Sequence, residues 1–134
     1  MGIKLTKDSI DIGIVVRDAE AALHFYRDVL GFEHVGEMPM PGGGTMQRLL
    51  CGTSLVKLVS HATTPEASNP RGGLNKATGV RYWTISVSNL DEIVKTCEEA
   101  GNKIAVPITE VHPNVTIAMV VDPDGNWVEF LQTS

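Results

Sequence analysis

Residues 10–32 read IDIGIVVRDAEAALHFYRDVLGF, and the change of period inside this stretch decides the fold. Ile10, Ile12, Ile14 and Val16 alternate with Asp11, Gly13, Val15 and Arg17. Side chains in a strand alternate between faces, so one face is uniformly branched and apolar and the other mixed. Asp18 stands where a helix N-cap is needed, its carboxylate able to accept free backbone N–H groups. Ala22, Phe25, Tyr26 and Val29 then recur at helical spacing, and Gly31 suits the left-handed residue that ends a helix.

Strand-like runs follow over 32–37, 45–51 and 55–60, so the first half reads β-α-β-β-β. The second half repeats the order. A strand is expected over 82–87, an N-cap at Asn89, and a helical face from Leu90, Ile93, Val94 and Cys97, closed by Gly101. Further strands are expected over 103–106, 115–121 and 126–131, with Asp122-Pro123-Asp124-Gly125 as the turn before the last. Asp11 precedes its cap by seven residues, as Tyr82 precedes Asn89. Tyr82 follows Asp11 by 71 residues, and Glu129 follows Lys57 by 72. Lys57 and Glu129 each interrupt an apolar strand late in their half. This is a duplication of pattern rather than of identity. Residues 61–78, rich in Pro, Gly, Thr and Asn, read as the linker.

With 134 residues and 43% hydrophobic content, the chain suits one compact domain with a real core. A net charge of −5 without a basic run argues against nucleic acid. Cys51 and Cys97 lie in apolar segments and form no CxxC pair, as expected of buried reduced thiols. No stretch has the length of a membrane span and no signal-peptide pattern opens the sequence, so a soluble, cytoplasmic protein is expected.

Ile14-Val15-Val16-Arg17-Asp18 with Phe25-Tyr26-Arg27-Asp28-Val29-Leu30-Gly31-Phe32 resembles the opening strand and helix end of the vicinal oxygen chelate superfamily. This group contains the glyoxalases, bleomycin resistance proteins and extradiol dioxygenases. Asp122-Pro123-Asp124-Gly125-Asn126-Trp127-Val128-Glu129-Phe130 resembles its closing strand. The resemblance implies an α+β fold, with two paired βαβββ modules forming a curved mixed sheet around a cleft. Residues 1–134 would form a single domain, with modules 9–60 and 79–132 joined by linker 61–78. Strand parity then packs Ile12, Ile14 and Val16 against a helix. Asp11, Gly13, Val15, Lys57, Tyr82, Thr84, Ser86 and Glu129 face the cleft.

In metal-dependent relatives four cleft positions bind a divalent ion, and by motif they fall here on Asp11, Lys57, Tyr82 and Glu129. An ammonium offers no lone pair and repels a cation, so no metal and no other cofactor is expected. Instead Lys57 is expected to stand between the carboxylates of Asp11 and Glu129, with Tyr82 donating to one of them. These four are the candidate catalytic residues; the alternative is a salt-bridged relic that only pins the strands together. Thr84, Ser86, Trp127 and His112 are candidate substrate contacts, His112 from a loop before the seventh strand. His24 and His34 read as surface residues and His61 opens the linker. Gly42-Gly43-Gly44 reads as a mobile turn or lid.

Two functions compete. In a metal-independent lyase, isomerase or epimerase, Lys57 stabilises an oxyanion beside a carbonyl, Glu129 or Asp11 moves a proton, and Tyr82 binds the substrate oxygen. In a non-catalytic binding protein of the antibiotic-sequestering kind, the cleft only holds its ligand. A metal-dependent glyoxalase or dioxygenase ranks third because of Lys57. The expected partners are a small molecule and a second copy of the chain, since open sheets leave unpaired edges; neither nucleic acid nor membrane is expected.

Overall fold

A computed structural model describes residues 2–134. The first half forms β1 (Ile12–Val15), α1 (Ala19–Leu23), a π-helical turn (His24–Val29), β2 (Glu33–Pro39), β3 (Thr45–Cys51) and β4 (Ser54–Ser60). A 3₁₀ turn at Gly73–Asn75 interrupts the linker. The second half forms β5 (Tyr82–Ser86), α2 (Leu90–Glu99), β6 (Ile104–His112), β7 (Val115–Val121) and β8 (Trp127–Thr133). Two four-stranded mixed sheets result, ordered β1-β4-β3-β2 and β5-β8-β7-β6. In each the first strand runs parallel to the last and the other pairs are antiparallel. The fold is the expected α+β one, with the same strand order in both halves.

Local chemistry explains the first helix. The Asp18 carboxylate accepts from the N–H groups of Glu20 and Ala21 at 3.0 and 3.2 Å, and Gly31 takes φ of 83° beyond the helix end. Between them the ladder widens, with the Leu30 N–H bonded to the Phe25 carbonyl. Phe25 and Tyr26 are neighbours in sequence, yet both are buried, edge to face at 4.7 Å.

Both sheets contribute their inner faces to one core. Ile14, Val16, Leu49, Val56 and Leu58 meet Ala118, Val120, Val128 and Phe130, with α1 and α2 packed among them. Trp83 of β5 reaches across to the first half, its ring 6.0 Å from Tyr26 and 6.5 Å from Phe32. The Tyr26 hydroxyl donates to Asp122 Oδ2 at 2.6 Å. Buried Asp122 also accepts from the N–H groups of Asp124 and Asn126 and from the Asn126 side chain. A hydrogen bond to a buried charged group contributes about 1.5–3 kcal/mol, so this junction pins the first helix to the closing turn of the second half.

Three expectations change. Asn89 makes no cap bond; its amide reaches Glu92, and the Leu90 N–H is taken by Gln132 Oε1 at 2.7 Å. A side chain 42 residues away thus replaces the local cap. The strand expected over 103–106 continues to His112. It passes Pro107 by slipping register between Val106 and Thr109, which an edge strand tolerates because one side of its ladder is free. His112 is therefore paired with Val115 at a tight hairpin, and Asn114 there adopts φ of 66°. It does not stand on a loop over a cleft.

Candidate functional site

The strand alternation of β1 places Ile14 and Val16 in the core and leaves Gly13, Val15 and Arg17 exposed on the opposite side. In β5 Tyr82, Thr84 and Ser86 are the outward residues. Each of these strands is an end strand of its sheet, and a groove of about 370 Å³ lies between them. Ile12 to Arg17 form one wall, Val80 to Trp83 the other, and Asp124, Asn126 and Trp127 close one end.

The linker forms the remaining wall, and two arginines hold it there. Arg17 donates to the carbonyls of Pro65, Glu66 and Ala67 at 3.3 to 3.4 Å and to the Ser68 hydroxyl. Arg81 donates to the carbonyls of Gly73 and Pro70 at 2.9 and 2.6 Å and to Asn69 Oδ1 at 3.1 Å. Gly73 has φ of 78°, and a Cβ there would lie 2.4 Å from the Trp127 ring. Only glycine lets the linker close against that indole. Asp124 Oδ1 accepts the Arg17 N–H at 3.1 Å, while burial raises the Asp124 carboxyl above its ordinary value.

The four candidate catalytic residues lie on the sheet faces turned away from the core, or just before β1, but they do not form the expected cluster. Asp11 binds Lys7 Nζ at 2.6 Å and the Leu55 N–H at 2.8 Å. The Lys7 bond foremost, then the Leu55 N–H, lowers its pKa; Lys57 adds a smaller effect through space. Glu129 accepts from the Thr84 hydroxyl at 2.6 Å. Among the described residues Lys57 forms no ion pair within 4.0 Å. The expected carboxylate–ammonium–carboxylate bridge is therefore absent from the fold, because a nearer lysine and a cross-strand hydroxyl satisfy the two carboxylates first. Tyr82 and Trp127 line the groove; Lys57, Glu129, Asp11, Thr84, Ser86 and His112 do not.

The register reveals what surrounds Lys57. Gly13, Lys57, Arg48 and Gly36 lie side by side across the first sheet. Thr84, Glu129, Met119 and Val106 lie at the corresponding row of the second. Where Glu129 has a hydroxyl neighbour and an apolar one, Lys57 has a bare glycine and a second cation. Val59, Ile117 and Met119 are buried outside the main core and give these outer faces an apolar floor.

The donor set does not fit a divalent ion. Of four positions, one is an ammonium beside a guanidinium, and one is a carboxylate already ion-paired with Lys7. Metal binding requires lone pairs and tolerates no cation in the ligand shell. Among the described residues no three His, Cys, Asp or Glu side chains gather at one point.

Sequence reading overlooked Arg17, Arg81 and Arg48. The first two act through linker carbonyls, which carry no sequence signal. The third could have been found by counting outward from the turn at residues 52–53, which sets Arg48 opposite Lys57.

Comparisons with known proteins agree with this architecture. A glyoxalase family protein from Bacillus cereus superposes with a TM-score of 0.82 at 17% identity, covering 98% of this chain and 96% of that one. One from Enterococcus faecalis gives 0.74 at 22% identity, covering 94% and 98%. The trypanothione-dependent glyoxalase I of Leishmania major gives 0.71 at 22% identity, covering 95% and 87%. At these identities the likeness concerns the fold. Comparison with curated proteins gives no match. The sequence profile of the Glyoxalase/Bleomycin resistance protein/Dioxygenase superfamily matches residues 9–130, and the chain belongs to that superfamily.

Proposed function

We propose that this protein binds a small organic molecule in the groove between β1 and β5, as a member of the superfamily that works without a metal at the usual four positions. The carrying observation is the groove itself. It is built from both halves and the linker, and it combines the exposed Tyr82 and the Trp127 indole with polar groups of Asp124 and Asn126. Apolar walls with a few convergent polar groups are what small-ligand sites require. A fluorescence screen with flat aromatic and carbonyl compounds tests it. Binding that quenches tryptophan emission and is lost in Trp127→Leu is expected; binders indifferent to Trp127 and Tyr82 would refute the site.

One observation favours chemistry on the neighbouring face. Lys57 is half-buried with no carboxylate in ion-pair range among the described residues, which leaves its ammonium for a substrate oxygen. In this reading a lyase, isomerase or epimerase stabilises an oxyanion at Lys57 and moves a proton at Glu129. A loss of turnover in Lys57→Met that exceeds its loss of ligand affinity would support it, and unchanged turnover would exclude it.

We further propose a homodimer. Val35, Met38, Ile108 and Val111 are exposed on end strands β2 and β6, and Val15 on β1, all with one free ladder edge. Such edges are usually covered. Light scattering at tens of micromolar should give twice the chain mass, and a monomer would contradict the proposal.

A further inference from the structure

We infer that the row Gly13–Lys57–Arg48–Gly36 is a subsite for an oxyanion, the group shared by organic phosphates and carboxylates. The inference rests on the reading that a small molecule binds beside this face, because Gly13 belongs both to the row and to the groove wall.

Three observations carry it. First, Arg48 and Lys57 are directly paired residues on antiparallel β3 and β4, so their side chains rise from the same face about 5 Å apart at Cβ. Like charges in that position repel, and only a small through-space attraction between Lys57 and Asp11 opposes it. Neither side chain takes part in a hydrogen bond or ion pair among the described residues. Asp11, the carboxylate that feels Lys57 through space, is occupied by Lys7 and the Leu55 N–H. Second, both cations are half-buried, so water and salt screen them less than they screen surface lysines.

Third, space is left for a ligand. A Cβ built on Gly13 meets nothing within 4 Å, and one on Gly36 would meet only the Arg48 guanidinium at 4.0 Å. The row is thus two cations flanked by two positions without side chains. In the second sheet Thr84 stands in the place of Gly13, and its hydroxyl bonds Glu129 at 2.6 Å. That half fills its slot from within; the first half leaves it open. An oxyanion between Lys57 and Arg48 would remove the repulsion and accept charge-assisted hydrogen bonds from both.

The test is an amide-resolved NMR titration of the whole chain at fixed ionic strength, with inorganic phosphate in one arm and acetate in the other, against chloride. Saturable shifts at the Gly13 and Gly36 amides are expected in at least one arm, and the tighter arm identifies the source of the group. Lys57→Gln and Arg48→Gln should each weaken binding about tenfold or more, since each removes a hydrogen bond to a charged group. Gly13→Thr keeps both charges and should also weaken it, by filling the slot as Thr84 does. Lys95→Gln, on an exposed helix face, should leave it unchanged. Shifts that grow linearly without saturating in both arms would overturn the inference, as would equal affinity in wild type and Lys57→Gln. If one glutamine variant fails to fold, the other and Gly13→Thr decide. Failure of the groove reading shows separately, as organic ligands that leave the Trp127 indole unmoved.

Discussion

Arg48 and Lys57 face each other across β3 and β4, two half-buried cations at one cross-strand pair with no acidic partner in ion-pair range among the described residues. Such a pair works against the sheet that carries it. Like charges directly opposite are destabilising on the scale of cross-strand pairs, about 0.2–1 kcal/mol. Lys57→Met keeps most of the volume and removes one charge. Its unfolding free energy in urea should equal that of the wild type or exceed it by up to about 1 kcal/mol. A loss of several kcal/mol would mean that Lys57 is held by carboxylates after all.

Tyr26 is the strut between the halves. Tyr26→Phe removes the hydroxyl that donates to Asp122 Oδ2 and leaves a buried carboxylate with three donors instead of four. The expected cost is about 1.5–3 kcal/mol, the range for a hydrogen bond to a charged group. A denaturation midpoint within error of wild type would show that the junction contributes nothing net.

Gly73 and Gly79 separate strain from contact. Both have positive φ, 78° and 95°, but a Cβ at Gly73 collides with Trp127 while one at Gly79 meets nothing within 4 Å. Gly79→Ala should cost about 1–2 kcal/mol, the left-handed penalty alone. Gly73→Ala should cost more and should shift tryptophan emission, because the linker wall must move off the indole. Equal costs with unchanged emission would remove Gly73 from the groove wall.

Asp124 sets a pH dependence. Burial, the largest cause, raises its carboxyl above the ordinary 3.8, against the lowering effect of the Arg17 N–H. A group whose folded pKa is raised contributes stability that is fully present below the unfolded pKa and is lost as pH rises through the folded one. Asp124→Asn keeps an oxygen acceptor for Arg17 and cannot ionise. The stability of the variant relative to wild type should therefore rise as pH climbs from below 3.8 into the range just above it, then level off. A difference that is flat or falls over that window, in urea curves at successive pH values, would contradict the sign.

Zinc, nickel or manganese should not bind stoichiometrically at Asp11, Lys57, Tyr82 and Glu129. Calorimetric titration of chelator-treated protein should show no saturable site near one equivalent that Glu129→Gln abolishes. Such a site would require Lys57 to be deprotonated or displaced, and the expectation would fall.

Periodicity and turn chemistry settled the element order, the duplication and the faces of the first and last strands of each half. Ile12, Ile14 and Val16 went to the core, and Gly13, Thr84 and Glu129 to the other side, because these depend on neighbours two to four residues away. Asp18 and Gly31 ended their helix as local rules require. Partners distant in sequence were decided only in three dimensions. The Leu90 N–H is capped by Gln132, β6 runs past Pro107 because its edge is free, and the linker is strapped by Arg17 and Arg81. The charge cluster failed as an expectation for the same reason. Parity puts Lys57 on a face, but which carboxylate reaches it depends on competition in space, and Lys7 and Thr84 stand nearer to Asp11 and Glu129 than Lys57 does.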